Sequence, residues 1–233
     1  MKPTSVSTVA RGDHTREALI TAAIGIFGRD GFHAASTRAI AEAANVNQAL
    51  IGYHFGGKQA HYEAVFAHIA QQVMQHLRPI VERIEALLDA PGPVADAADR
   101  REHYFQPLLQ LVNGMVVLIA SEQSATWAQL IVREQVASGP AFDVLYEGFI
   151  GRVLDLLTRL VERLRGHDGD TPAADARLLV ATVLGQIMVF RAARVGVMRL
   201  MGWTGIGPAE LKVIQQRLRE NLIKQLLPSE SDR

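Results

Sequence analysis

Residues 44–62 read ANVNQALIGYHFGGKQAHY. Within them, Asn47 to Phe55 carry a short helical pattern in which Ile51 and Phe55, four apart, fall on one face with Val46 just before them. The same helix has Gly52 in its middle and sets Tyr53 beside His54. A core helix has no need of that polar pair, and a surface helix loses stability at an interior glycine. The stretch therefore reads as a short rod with one apolar side and one flank kept for a partner.

The residues before it complete a unit. Asn45-Val46-Asn47 forms a tight turn, and Asn47 is a natural N-cap for the rod. Upstream, Ser36 or Thr37 opens another short helix whose buried side is Ile40, Ala41 and Ala44. Earlier still, from Thr15, the set Leu19, Ala22, Ala23, Ile26 and Phe27 follows the one-face rule, and Gly31 offers the left-handed conformation that ends a helix. Three helices, the last two joined by a turn of about three residues, spell a helix-turn-helix. In that arrangement the second helix braces across phosphates and the third enters the major groove, which is wide enough to admit it. Gln48 can then make a two-point contact with adenine, and Leu50 can pack on a thymine methyl. Thr37, Tyr53 and His54 can donate to phosphate, Arg38 can reach guanine or phosphate, and Lys58 adds a point charge at the next helix start.

Composition is compatible with this. The 233 residues have zero formal net charge, so any polyanion surface must be local rather than global. Over residues 1–60 the bases are Lys2, Arg11, Arg16, Arg29, Arg38 and Lys58 and the acids are Asp13, Glu17, Asp30 and Glu42, an excess of two. Affinity must then come from placement and from doubling the unit in a dimer. The absence of cysteine excludes disulfides, thiolate catalysis and Cys-based zinc sites. The apolar runs near 108–120 and 178–190 fall short of the roughly 18 residues of a membrane span, and no signal-like stretch opens the chain. The expectation is a cytoplasmic protein with no membrane partner. His61, His68 and His76 recur along one helix without a carboxylate at ligand spacing, so they read as a solvated surface and no metal or cofactor is expected. A nucleophile elbow, a phosphate-cradling glycine loop and paired carboxylates are also missing, which argues against an enzyme.

Helical spacing recurs over the rest of the chain, so the fold class is all-α: an N-terminal three-helix helix-turn-helix domain and a C-terminal helical ligand-binding and dimerisation domain. The boundaries fall at 1–12 (a flexible arm), 13–60, 61–228 and 229–233 (a tail). A long helix starts near Lys58 and runs towards Pro79, where a kink is expected. DAPGPVADAADRR (89–101) reads as a loop, and further helices follow near 126–136, 142–160, 172–201 and from about 208 to Leu227.

Residues 15–62 resemble the TetR family of bacterial regulators. The resemblance lies in TREALITAAIGIFGRDGF (15–32), STRAIAEAANV (36–46) and YHFGGKQAHY (53–62). It implies a homodimer that binds a double-stranded DNA operator, represses, and lets go when a small-molecule effector enters the second domain. Carried over by position, Thr37, Asn47, Tyr53, His54 and Lys58 hold phosphates, while Arg38, Gln48, Ala49 and Leu50 face bases. One departure stands out: the family commonly has two adjacent aromatics before the histidine, and here the first is Gly52. Either Tyr53 carries the phosphate contact alone, or Gly52 lets the helix approach the groove more closely. The stretch REQVASGPAFDVLYEGFIGRV (133–153) resembles the CecR-type branch of the family.

In the C-terminal part, Phe142, Tyr146, Phe149, Val153, Leu156 and Leu160 form a stripe at alternating spacings of four and three, suited to interhelical packing. Ala181, Gly185, Ala192 and Gly196 line one side of the 172–201 helix and allow close approach. Both read as dimer interface about a two-fold axis, with intramolecular core as the alternative. For an apolar or aromatic effector, the wall candidates are Phe66, Met74, Tyr104, Phe105, Met115, Trp127 and Phe149, with Asn113, Gln123, Gln129 and Arg133 to orient it. A helical binding or scaffold protein that ignores DNA is the competing reading.

Overall fold

The computed structural model describes residues 6–89, 96–122, 124–137, 139–166 and 174–227, and every regular element among them is helical. Helix α1 (Val6–Ala34) reaches back to Val6, so residues 6–12, expected to be an arm, form its first turns. Lys2 lies outside the described residues. Within α1 the helical geometry breaks at Gly31, whose φ of 76° and ψ of 173° only glycine adopts easily. Leu19, Ile20, Ala23 and Phe27 are buried on its inner face.

Helix α2 (Thr37–Ala43) is capped by Ser36, whose hydroxyl accepts from the Ala39 amide. Helix α3 (Ala49–Phe55) follows, closed by Gly56 in the left-handed conformation. Helix α4 (Lys58–Asp89) starts at once and continues past Pro79, so it runs from the helix-turn-helix into the helices beyond. Its buried stripe, Tyr62, Val65, Phe66, Ile69, Val73 and Leu77, packs on α1 and on the helices beyond.

Helix α5 (Ala97–Ala120) is capped by Asp96, whose carboxylate accepts from the amides of Ala98 and Asp99, so the expected loop ends earlier than residue 101. Its span Ala98–Ala120 is in fact long and apolar enough to cross a membrane, contrary to the run lengths counted in the sequence. Of its most apolar window, 61% is buried within the protein, the setting of a core helix. Helix α6 (Ala125–Ala137) leads to α7 (Pro140–Leu145), a π-helical turn (Tyr146–Ile150) and α8 (Gly151–Arg165). The π turn fits against α4, where a Cβ on Gly148 would lie 2.7 Å from the Ala70 methyl.

Two expectations about the dimer change here. Val153, Leu156 and Leu160 are at most 2% exposed within a single chain, packed among α4, α5 and α9 (Ala174–Ala192), and therefore belong to the subunit's own core. Phe149 and Phe142 are half-buried, and of that stripe only Tyr146 is well exposed. The expected 172–201 helix is two: α9 and α10 (Arg194–Met201) meet at 84° across Ala193. Gly196 consequently leaves the line of Ala181, Gly185 and Ala192, which do stay exposed on α9 beside Leu178 and Val189. Helix α11 (Pro208–Leu226) closes the fold against α5.

Candidate nucleic-acid interface and ligand cavity

The turn between α2 and α3 is fixed by hydrogen bonding. The Val46 amide donates to the Ala41 carbonyl and the Asn45 amide to that of Glu42, the paired bonds of a Schellman stop. Asn45 takes a left-handed φ of 54°, which asparagine tolerates better than most residues. Asn47 Oδ1 then accepts from the Ala49 amide at 2.8 Å, starting α3 as its cap. Ile51 is buried and Val46, Leu50 and Phe55 pack partly against the core, which leaves Ala49, Gly52 and Tyr53 on the outer face. Tyr53, 82% exposed, stands with its ring edge-on to His54 at 5.0 Å.

The polar candidates hold one another in the free protein. Gln48 Nε2 donates to Thr37 Oγ1 at 2.9 Å, so α3 is stitched to α2 across the very side that would meet a duplex. Arg38 pairs with Glu42 at 2.9 Å, and both side chains are largely exposed. An exposed pair of this kind contributes little to stability, so a phosphate can compete for the guanidinium. Asn47 is committed to its cap. Lys58 turns inward: its Nζ lies 4.8 Å from the centroid of the Phe32 ring and donates to the His33 carbonyl at 3.2 Å. The face brings Thr37, Arg38, Gln48, Ala49 and Tyr53 together, with Lys58 held at its edge.

Beneath it lies a residue that the sequence misassigned. His61 is fully buried rather than solvated, stacked on Phe55 at 4.1 Å. Burial above all, with Arg16 adding to it and the Leu19 backbone opposing it, holds the ring neutral by lowering its pKa to about 4. The period of α4 places His61 on the same stripe as Val65 and Ile69, a signal that was present in the spacing.

The helices beyond form a partly open cavity of about 40 Å³ whose wall is apolar except for Gln135. Of the sequence candidates, Met115, Trp127 and Phe149 line it. Phe66, Tyr104 and Phe105 are buried elsewhere in the core, Met74 packs at its edge, Asn113 lies off the wall, and Gln123 is outside the described residues. The sequence reading missed Val73, Leu77, Ile131, Gln135, Leu184 and Met188, since apolar residues at helical spacing look alike whether they face a neighbour or a space.

Arg133 faces the other way. Its Nη1 donates to the Phe27 carbonyl of α1 at 2.9 Å. Next to it, buried Glu134 accepts from the Tyr62 hydroxyl at 2.5 Å, and burial together with this bond raises the tyrosine's pKa. Helix α6 thus lines the cavity with Trp127, Ile131 and Gln135 while it grips the base of the DNA-reading unit with Arg133 and Glu134.

Comparison with known proteins agrees with this division. Residues 19–65 match the family described as bacterial regulatory proteins, tetR family. Residues 105–227 match the C-terminal domain of the HTH-type transcriptional dual regulator CecR. The chain is 31% identical over 208 residues to the HTH-type transcriptional dual regulator CecR of Shigella flexneri, covering 88% of each. Among solved structures, HlyIIR, a hemolysin II transcriptional regulator, superposes with a TM-score of 0.58 at 17% identity, over 89% of this chain and 98% of that one. A TetR-like transcriptional regulator from Rhodococcus sp. RHA1 gives 0.57 at 17% identity, over 98% of this chain and 100% of that one.

Proposed function

Since the chain belongs to the TetR family of bacterial transcriptional regulators, in its CecR-type branch, we propose that it acts in the cytoplasm as a homodimeric repressor, released from a near-palindromic operator by an apolar effector. The observation that carries the reading is the outer face of α3, where exposed Tyr53 stands beside Ala49 and Gly52 on a helix pinned from behind by Ile51 and Phe55. Ala49 meets base edges with only the exposed part of half-buried Leu50 beside it, Gln48 and Arg38 exchange their internal partners for base or phosphate, and Tyr53, His54 and Thr37 hold the backbone. Lys58 reaches phosphate only by leaving His33. Two such units, about 34 Å apart or a little more, would read successive major grooves.

Dimerisation is assigned to the exposed face of α9, where Leu178, Ala181, Gly185, Val189 and Ala192 leave an apolar strip of small residues. The effector site is the cavity behind α6. Its occupancy biases the DNA-reading units through the Arg133–Phe27 and Glu134–Tyr62 bonds and through α4, provided the ligand favours one arrangement over the other.

The test is binding of the purified protein to duplexes selected from random DNA, followed by fluorescence anisotropy. The wild-type chain is expected to select one near-palindromic sequence, and Tyr53→Ala to bind it at least tenfold more weakly without loss of fold. A chain that selects nothing at low salt is a helical binding protein, and the regulator reading falls.

A further inference from the structure

The side of α6 turned away from the cavity forms one wall of an open groove, and the end of α9 with the start of α10 forms the other. Three arginines converge there: Arg133 from α6, Arg191 from α9 and Arg194 from α10, with Gln129, Val132 and Val136 between them. Arg191 Nε donates to the Ile119 carbonyl at 2.8 Å and its Nη2 to that of Ser121 at 2.7 Å. Both acceptors are neutral, so the half-buried charge meets no carboxylate among the described residues. Arg133 donates to the Phe27 carbonyl and pairs with no carboxylate among the described residues. Arg194 is paired with Glu122, the one acid at the site, yet its Nη1 is buried without a partner. Two guanidinium groups without a counter-ion and a third with an unused donor make the groove a place for an anion.

The groove also abuts the cavity. Ile119, whose carbonyl takes the Arg191 bond, is itself a cavity wall residue. Met188, also on that wall, precedes Arg191 by less than one turn of α9, about 4.5 Å along the axis. Resting on the effector reading above, we propose that the effector is an amphiphilic acid, its apolar body in the cavity and its carboxylate or phosphate in the Arg133–Arg191–Arg194 groove. A neutral ligand of the same shape leaves the guanidinium groups as they are. An anion gives Arg133 a partner stronger than the Phe27 carbonyl and so draws it away from α1, which couples head-group recognition to the DNA-reading end.

The test uses the full chain and three probes with one tail: dodecanoate, dodecyl phosphate and 1-dodecanol, titrated against intrinsic fluorescence, Trp127 being on the cavity wall. At least one anionic probe is expected to bind about tenfold or more tightly than the alcohol, and which of them binds best identifies carboxylate or phosphate as the head group. Gln129→Glu, which places a negative charge at an exposed position between the arginines, is expected to remove most of that preference. Equal binding of alcohol and acids, binding of none of them, or a preference that survives Gln129→Glu overturns the proposal. The same preparation is assayed on its selected duplex without any probe. A protein that binds DNA but ignores the head group refutes the anion groove alone, whereas one that binds no DNA refutes the regulator reading.

Discussion

Gly52→Ala separates the two demands placed on α3. Gly52 lies inside the helix and is exposed, and a Cβ built on it meets nothing within 4 Å. It has no positive φ, unlike Gly56 at the end of the helix. Nothing in the fold therefore requires glycine, and its backbone freedom is a plain cost. Replacing it by alanine should stabilise the chain by about 0.5–1 kcal/mol. For a chain of this length that raises the melting temperature by about 1–4 °C if unfolding is cooperative. The groove side makes the opposite demand. Ala49 and Gly52 are the two smallest residues of the outer face, three apart, and together they let the backbone of α3 approach the duplex closely. A methyl at 52 should weaken DNA binding several-fold while Tyr53 keeps its place. The assays are urea unfolding and anisotropy on the selected duplex. A loss of stability would show that 49–55 is not held as the helix described. A gain in stability with unchanged affinity would remove the close-approach argument and leave Tyr53 as the sole reason for the face.

Three further outcomes follow from buried polar groups and from the dimer face. His61 has its pKa lowered from 6.5 to about 4 by burial, so it stabilises the fold fully above pH 6.5 and progressively less as pH falls towards 4. The contribution lost is about 3 kcal/mol at most, and urea midpoints measured from pH 7 to pH 4 should fall more steeply for wild type than for His61→Leu. Tyr62→Phe removes the hydroxyl that donates to Glu134 Oε1 and leaves a buried carboxylate short of a partner, so a destabilisation of about 1–3 kcal/mol is expected in thermal or urea unfolding. Gly185→Arg sets a long charge on the open face of α9, where a side chain meets nothing within its own subunit. Sedimentation should then show a folded monomer, and an unchanged dimer would move the interface off this face.

How far the sequence could be read depended on whether spacing alone determined the outcome. The helix-turn-helix was legible because its anchors are local: Ile40, Ala41 and Ile51 are buried as their spacing requires, and Asn45 takes the left-handed φ that a three-residue turn demands. The 4-3-4-3 stripe from Phe142 to Leu160 was just as regular, but periodicity says that a face is covered and not by which chain. Here α4, α5 and α9 of the same subunit cover most of it. The 84° break at Ala193 carries no glycine or proline at the bend to announce it, so α9 and α10 read as one helix. The cavity was the least legible feature. Val73 and Leu77 on its wall obey the same rule as Ile69 in the core, and the distinction arises only when five segments far apart in the chain come together.

The size of that cavity bears on how an effector acts. About 40 Å³ accommodates little more than a water molecule or two, whereas pockets that enclose small-molecule ligands run to roughly 300–1,000 Å³. A ligand can enter only if part of the wall gives way. The α4 and α8 sides are tied together by the two-pronged Arg152–Glu85 pair at 2.6 Å and by Arg159–Asp89. The outer face of α9 is the one assigned to the partner subunit. Helix α6 is a short element between two breaks in the helical run, and its outward side is held by the Arg133 and Glu134 bonds to α1 and α4. On the proposed reading, expansion of the cavity at α6 strains two of the contacts that join it to α1 and α4. On the same reading, so small a cavity in the free protein is part of the regulatory device: an effector that fitted the existing space would leave α6 where it is and move nothing.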